Sequence, residues 1–286
     1  MRVRIGVLND EHVGSMFGLW PDNYPTSNSG IYQLNQGQRY LLDNWNRIAA
    51  EIPPLDLLIF AGDEMDGKQP KSEGAFICEP KAPRQKDAAL ELLSLFKKRV
   101  KRGGELYSVE GTDYHMGKNA EWSEELAKSL GAVPMAPGRT CWDWLLLEVG
   151  GKRLDVAHRQ TVTIIRRSSP GERELDFSEM HKNPADLVIR AHNHYYFWLT
   201  LSREDRVQHY LSCPAWQLQT HYCRTSISPN RKDGTMLGMV VVTIEDGEIS
   251  HRPYLFPHPP QRRAVYVRAG IHDGRIAEGT TTEGGA

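Results

Sequence analysis

Five short polar clusters each follow an apolar run in this 286-residue chain: Asp10-Glu11-His12, Gly62-Asp63-Glu64-Met65-Asp66, Gly111-Thr112-Asp113-Tyr114-His115, His158-Arg159 and His192-Asn193-His194. Carboxylate oxygens and imidazole nitrogens are the donors that borderline divalent cations take. One such cluster alone reads as a solvated turn. Five in order, each capping a strand-like run, point to a divalent-metal site built where strands end, the place where α/β folds gather their ligands.

The elements that must carry these clusters are legible from periodicity. Arg2–Leu8 alternates Val3, Ile5 and Val7 and predicts a strand ending at Asn9-Asp10. Residues 14–38 read as a long loop. Tyr40–Ile52 places Leu41, Leu42, Trp45, Ile48, Ala49 and Ile52 on one helical face, closed by Pro53-Pro54. Leu55–Ala61 is a strand of the kind buried on both faces, stopping at Gly62-Asp63. Lys86–Lys101 reads as a helix with Ala89, Leu92, Leu93, Phe96 and Val100 inward. A strand over Glu105–Val109 and a helix over Asn119–Leu130 follow.

The second half changes character. Trp142–Val149, Lys152–Ala157, Asp186–Ala191, Tyr195–Leu201, Val207–Ser212, Leu237–Glu245 and Glu248–Tyr254 read as strands in an antiparallel meander, with hairpin turns at Gly150-Gly151 and Asp246-Gly247. Strand–helix alternation followed by a meander predicts an α/β (α+β) chain of two mixed sheets flanked by helices. Residues 1–256 read as one domain. Residues 257–286 read as an appendage whose last residues are expected to be disordered.

Composition narrows the class. The chain carries 35 basic and 36 acidic residues, a formal net charge of −1, so a protein that coats nucleic acid through a global basic field is not expected. No apolar run reaches the length of a membrane span. The opening Met1-Arg-Val-Arg goes straight into a strand pattern rather than the apolar stretch of a signal peptide, so a cytoplasmic protein is expected. Cys78, Cys141, Cys213 and Cys223 form no CxxC pair and read as reduced structural thiols.

Asp10-x-His12, Gly62-Asp63-x-x-Asp66-Gly67, the cluster at Gly111, His158 and His192-x-His194 together resemble the calcineurin-like metallophosphoesterase superfamily, from residue 3 to about residue 255. Within it, the chain is similar to stand-alone bacterial and phage phosphoesterases, distantly akin to the Mre11 nuclease and Icc-type phosphodiesterases. The resemblance implies a four-layer α/β/β/α sandwich and two divalent metal ions. Asp10, His12 and His194 would hold one ion, His158 and His192 the other, and Asp63 would bridge them. Asp66 would orient a ligand. Manganese is the expected ion, with iron, zinc and nickel suited to the same donors.

The third motif departs from the family pattern. Thr112 stands where the family has an asparagine ligand, leaving Asp113 as a substitute ligand for the second metal and His115 as the group that protonates the leaving oxygen. Arg159 is a candidate phosphate-binding group, with Arg166 and Arg167 behind it. Tyr195-Tyr196-Phe197-Trp198 reads as strand core or as a surface that stacks a base. Loop 17–32 reads as a lid or as packing. Trp216, Gln217, His221 and Tyr222 read as a pocket rim.

The expected function is metal-dependent hydrolysis of phosphodiesters, with a nucleotide or nucleic acid as candidate partner and no membrane. The alternatives are a phosphomonoesterase acting on nucleotides or phosphoproteins, and a catalytically weak metal-binding scaffold.

Overall fold

The apolar alternation of β1 (Arg2–Leu8) buries Ile5 and Val7 on one side and Leu8 on the other. A strand needed on both faces belongs inside a sheet. In the computed structural model, which describes residues 1–28, 30–135, 138–159, 168–182, 184–220 and 236–259, β1 lies between a parallel and an antiparallel neighbour. The parallel neighbour is β4 (Leu55–Phe60) and the antiparallel one is β12 (Met236–Glu245). With β5 (Val100–Val109), β6 (Cys141–Trp142) and β13 (Glu248–Pro257) they form a six-stranded sheet in the order β13-β12-β1-β4-β5-β6.

A second sheet has the order β10-β11-β9-β8-β7, from β7 (Leu145–Val149), β8 (Lys152–Ala157), β9 (Leu187–Arg190), β10 (Phe197–Ser202) and β11 (Val207–Ser212). Ile5, Val7, Ile59, Val109, Val156, Ile189, Leu211 and Val242 fill the layer between the sheets. Leu8, Leu58 and Phe60 face the other way, against α1 (Gln36–Glu51), α2 (Ala82–Lys97) and α4 (Glu121–Leu130). On the far side of the second sheet, α5 (Ser169–Glu179) packs Leu175 against Val188 and Tyr210. The result is a four-layer α/β/β/α sandwich of two mixed sheets.

Several sequence expectations shift for identifiable reasons. The α1 helix begins four residues before Tyr40 because Asn35 and Gln38 form a reciprocal capping box, with each side chain accepting the other's backbone N–H. Loop 14–35 carries a small hairpin, β2 (Pro25–Thr26) with β3 (Gly30–Ile31). Trp20 within it is fully buried, and Phe17, Tyr24 and Tyr32 pack on the helical core, so the loop is packing rather than a lid.

Helix α2 starts early, at Ala82 with Pro83 in its first turn, and stops at Lys97. Val100 then leaves the helix pattern to pair with Leu55 in β5. The run read as one strand over Trp142–Val149 is split between the two sheets, where the Asp143 carboxylate takes the Trp144 N–H at 2.9 Å and turns the chain.

The antiparallel meander is corrected at its centre. β8 pairs with β9, and β9 with β11, in parallel, because α5 crosses over between β8 and β9. That helix escaped periodicity because its only large buried apolar residue is Leu175. Its other anchor is ionic. Buried Arg190 bonds Glu174 of α5 at 2.9 Å and Asp155 of β8 at 2.5 Å.

The hairpins at Gly150-Gly151 and Asp246-Gly247 join β7 to β8 and β12 to β13, with Asp246 and Gly247 both at positive φ. Cys78, Cys141 and Cys213 are buried free thiols, whereas Cys223 and residues 260–286 lie outside the described residues. Among the described residues, no helix is long and apolar enough to cross a membrane.

Replacing Arg190 by methionine removes the buried guanidinium that bonds Asp155 and Glu174. Urea unfolding of Arg190→Met should show a loss of about 3–5 kcal/mol relative to the wild type. A loss below about 1 kcal/mol would show that the triad does not tie α5 to its sheet.

Candidate metal centre

The chain leaves β1 and β4 side by side, and their backbone pairing continues past the sheet. Ala61 N–H donates to Leu8 O, Asp10 N–H to Gly62 O, His12 N–H to Asp63 O and Val13 N–H to Glu64 O, at 2.7–3.1 Å. The first two polar clusters are thereby laced together at the C-terminal end of the sheet. Across the sandwich, Ala191 N–H donates to His158 O, joining the clusters that follow β8 and β9.

Backbone strain concentrates at these points. Asp10, His12, Asp63, His192 and His194 all have φ between 47° and 71°, a region costly for residues with a Cβ. Such outliers persist only where the surroundings overdetermine them, and they gather at functional sites. Two glycines are required by close approach. A Cβ on Gly62 would lie 2.6 Å from His158 Nδ1, and one on Gly111 would lie 2.4 Å from Asp63 Oδ1.

Three donor sets converge here, the ligand atoms of each lying within 4.8 Å of one another: Asp10, His12 and His194; Asp63, His158 and His192; and His12, Asp63 and His115. In the first, His194 Nε2 is 3.1 Å from Asp10 Oδ1 and 3.3 Å from His12 Nε2, and His12 Nε2 is 3.6 Å from Asp10 Oδ1. The Asp10 Oδ2 atom is already taken by the Asn9 amide at 2.6 Å and the His192 N–H at 3.0 Å, which leaves Oδ1 for the centre.

In the second set, His158 Nδ1 lies 2.7 Å from the Ala61 carbonyl. A carbonyl only accepts, so Nδ1 carries a proton and Nε2 faces Asp63 Oδ2 at 3.0 Å. Thr112 donates its N–H to Asp63 Oδ1 at 2.6 Å and adds its hydroxyl at 3.0 Å.

This donor set fits divalent cations. Neutral imidazole lone pairs and a carboxylate oxygen, all acceptors, face one another at separations that only a shared cation or proton makes favourable. Ligands about 2.0–2.2 Å from one ion lie roughly 3.0–3.5 Å apart, and the first set shows 3.1–3.6 Å. His12 and His158 are also held as metal-binding imidazoles usually are, with the opposite ring nitrogen engaged. His12 Nδ1 meets Asp66 Oδ1 at 3.1 Å.

The electrostatics tell the same story. Burial disfavours charge on Asp10 and Asp63, yet the surrounding imidazoles hold both carboxyls well below the usual carboxylate range. Burial likewise opposes charge on His12 and His158, but Asp10 and Asp66 lift His12 to about 10, and Asp63 and Asp10 lift His158 to about 9. Protons on His12 and His158 thus balance the carboxylates of the metal-free protein, the role a divalent cation would take at the same donors. Burial and the charge at His158 push His192 down to about 4, so it is a neutral donor at pH 7.

The remaining residues sort as follows. His115 faces the centre. Its Nδ1 bonds the Asp66 carbonyl at 2.8 Å, and burial, followed by the nearby charge of His12, lowers its pKa. Asp113 does not join any of the three sets. Thr112 engages Asp63, the chain turns at once into α3 (Asp113–Met116), and Asp113 is left exposed at its start. Arg159 is exposed beside His158.

The rim expected at Trp216 is corrected, because that indole is wholly buried in the helical core. Tyr196, just before β10, and Trp198 within it pack against the layer between the sheets. Arg166, Arg167, His221 and Tyr222 lie outside the described residues.

Sequence reasoning did not find how Asp66 is fixed. Gln69 donates to its Oδ2, and Gln217 lies 3.4 Å from its Oδ1. Glu11 and Glu64 are fully buried, and their carboxylate oxygens have no hydrogen-bond partner among the described residues. Burial first, and then a neighbouring carboxyl, raises both, Glu64 to about 7.

No family model matches the chain, and no curated protein matches its sequence. Among solved structures, wild-type Vps29 complexed with Zn²⁺ from Entamoeba histolytica is 12% identical over 88% of this chain and 99% of its own, with a TM-score of 0.36. A Thermotoga maritima protein solved by NMR is 12% identical over 89% and 99%, with a TM-score of 0.39. A protein of unknown function from Aquifex aeolicus is 17% identical over 71% and 82%, with a TM-score of 0.33. The residues of the centre, rather than these distant likenesses, carry the chemistry.

Two outcomes follow from the geometry. Protons on His12 and His158 stabilise the metal-free fold fully below the unfolded value near 6.5, and that stability is lost as pH rises through about 9–10. The Tm of chelator-treated protein should therefore fall between pH 8 and 10, and Mn²⁺ should restore it. A flat profile would contradict the assignment. Gly111→Ala drives a methyl group into the Asp63 carboxylate and should weaken Mn²⁺ binding at least about tenfold by calorimetry.

Proposed function

We propose that this protein is a dinuclear metal-dependent phosphohydrolase that cleaves phosphodiesters. One observation carries the reading: of three His/Asp donor sets at the C-terminal ends of the strands, the one containing His115 shares His12 with the first and Asp63 with the second. In it, Asp10, His12 and His194 hold one ion, His158 and His192 hold the other, and Asp63 lies between, as the motif resemblance implies. Bound at these positions, divalent ions such as Mn²⁺ supply Lewis acidity toward phosphoryl oxygens and promote deprotonation of water.

The chain's own groups do the rest. Asn9, the His192 N–H and Thr112 hold the two carboxylates so that their remaining oxygens point inward. Asp66, braced by Gln69 and Gln217, keeps the His12 proton on Nδ1. His115 keeps Nδ1–H on the Asp66 carbonyl and presents Nε2 to the centre. In hydrolysis the oxygen of water bonds to phosphorus and the bond from phosphorus to the leaving alcohol breaks. His115 Nε2 takes up a proton from solvent and passes it to the departing oxygen, and the proton shed by water goes to solvent. Arg159, exposed and next to His158 in the chain, is the proposed phosphate-binding cation, its guanidinium matching the anionic ester.

His115 also belongs to a donor set, which favours a second reading in which it is a ligand in place of the family's asparagine. The two readings separate on one variant. As an acid, His115→Ala should lower kcat by about 10²–10⁴-fold on an alkyl diester and far less on a p-nitrophenyl diester, with two ions still bound. Loss of an ion from that variant would make it a ligand. Asp63→Asn should abolish Mn²⁺-dependent diester hydrolysis altogether. Faster turnover of a monoester than of a diester under the same metal loading would overturn the substrate assignment.

A further inference from the structure

A line of side chains leads out of the centre with rising exposure. The buried His12 ring lies 4.4 Å from that of His115, in an edge contact. The His115 side chain is 17% exposed, and its ring lies 4.8 Å from that of Tyr114, again edge-on. Tyr114 is half-buried, and exposed Lys71 places its ammonium 5.7 Å over the Tyr114 ring.

The backbone fixes this order. A Cβ on Gly67 would strike the carbonyls of Tyr114 and His115 at 3.0 and 2.5 Å, so only glycine, here at φ +69°, lets the turn carrying Lys71 close on the helix carrying Tyr114. The imidazole that faces the scissile bond is thus followed by a flat aromatic ring and then by a cation.

We infer that Tyr114 and Lys71 form a leaving-group subsite for a nucleic-acid strand, in which the base of the departing nucleoside stacks on Tyr114 and the next phosphate meets Lys71. The inference rests on the phosphodiesterase reading and deepens it. A group leaving past His115 passes over Tyr114 next, and every base offers a π-face to such a ring. Lys71 recognises the following phosphate as a point charge rather than a fork, which suits backbone binding without sequence preference. The overall charge of −1 places this recognition in a local subsite rather than a global basic field.

Three Mn²⁺-dependent substrates separate the parts: a nucleoside monophosphate methyl ester, a dinucleoside monophosphate, and the same dinucleoside with a further phosphate on its leaving nucleoside. Tyr114→Leu should raise KM for both dinucleoside substrates about 5- to 100-fold and change the methyl ester less than twofold, whereas Tyr114→Phe should keep wild-type values. Lys71→Gln should weaken only the substrate with the further phosphate and flatten its dependence on salt.

Equal effects of Tyr114→Leu on the methyl ester and the dinucleoside, or no effect on either, would overturn the inference, as would a Lys71→Gln effect independent of the further phosphate. Equilibrium binding to the Mn²⁺-loaded protein distinguishes this from failure of the parent reading. Absence of turnover on every ester sinks the hydrolase. Equal affinity of the wild type for dinucleoside and methyl ester sinks the subsite, whatever is turned over.

Discussion

A carboxylate taken fully out of water survives as an anion only if donors or cations surround it. Asp10 and Asp63 set that condition for the whole top of the sandwich. Each has one oxygen held by fixed donors, Asn9 and the His192 N–H for Asp10, and Thr112 for Asp63. The other oxygen of each faces imidazoles. The strands must therefore end where they do, the loops must lie within backbone hydrogen-bonding distance, and the imidazoles must arrive with their lone pairs inward. Either protons or metal ions then balance the charge. That exchange makes the centre a place where affinity for metal and affinity for protons are the same quantity seen from two sides.

The cost of the arrangement appears in the backbone. Five residues of the proposed ligand set sit at positive φ, each in a conformation that a strand or helix would not impose. The pairing of the two leading loops beyond the sheet holds Asp10, His12 and Asp63 in these positions, with the buried apolar core of the sandwich behind them. Strain of this kind is tolerated because the sheets are rigid; on mobile loops the residues would relax to negative φ and the donors would diverge.

The second sheet solves a different problem. Its helix, α5, has little apolar surface of its own and is tied down by Arg190, which reaches both Glu174 and Asp155. Arg190 ends β9, immediately before the turn that delivers His192 and His194. The ion triad therefore bears on the centre as well as on the helix, since the same strand end positions both.

The sequence by itself determined the order of the polar clusters, the apolar strands before them and the two Gly-containing hairpins. Each of these is written in local period and residue type. Local information could not tell a parallel crossover from a meander where α5 carries one buried leucine and an ionic anchor, nor divide Trp142–Val149 between two sheets. It also left Gln69 and Gln217, 148 residues apart, without any sign that both brace Asp66. Those decisions belong to tertiary structure because they depend on which distant groups share a buried space. The charge that a donor carries there, and the tautomer it adopts, are set by neighbours that periodicity cannot see.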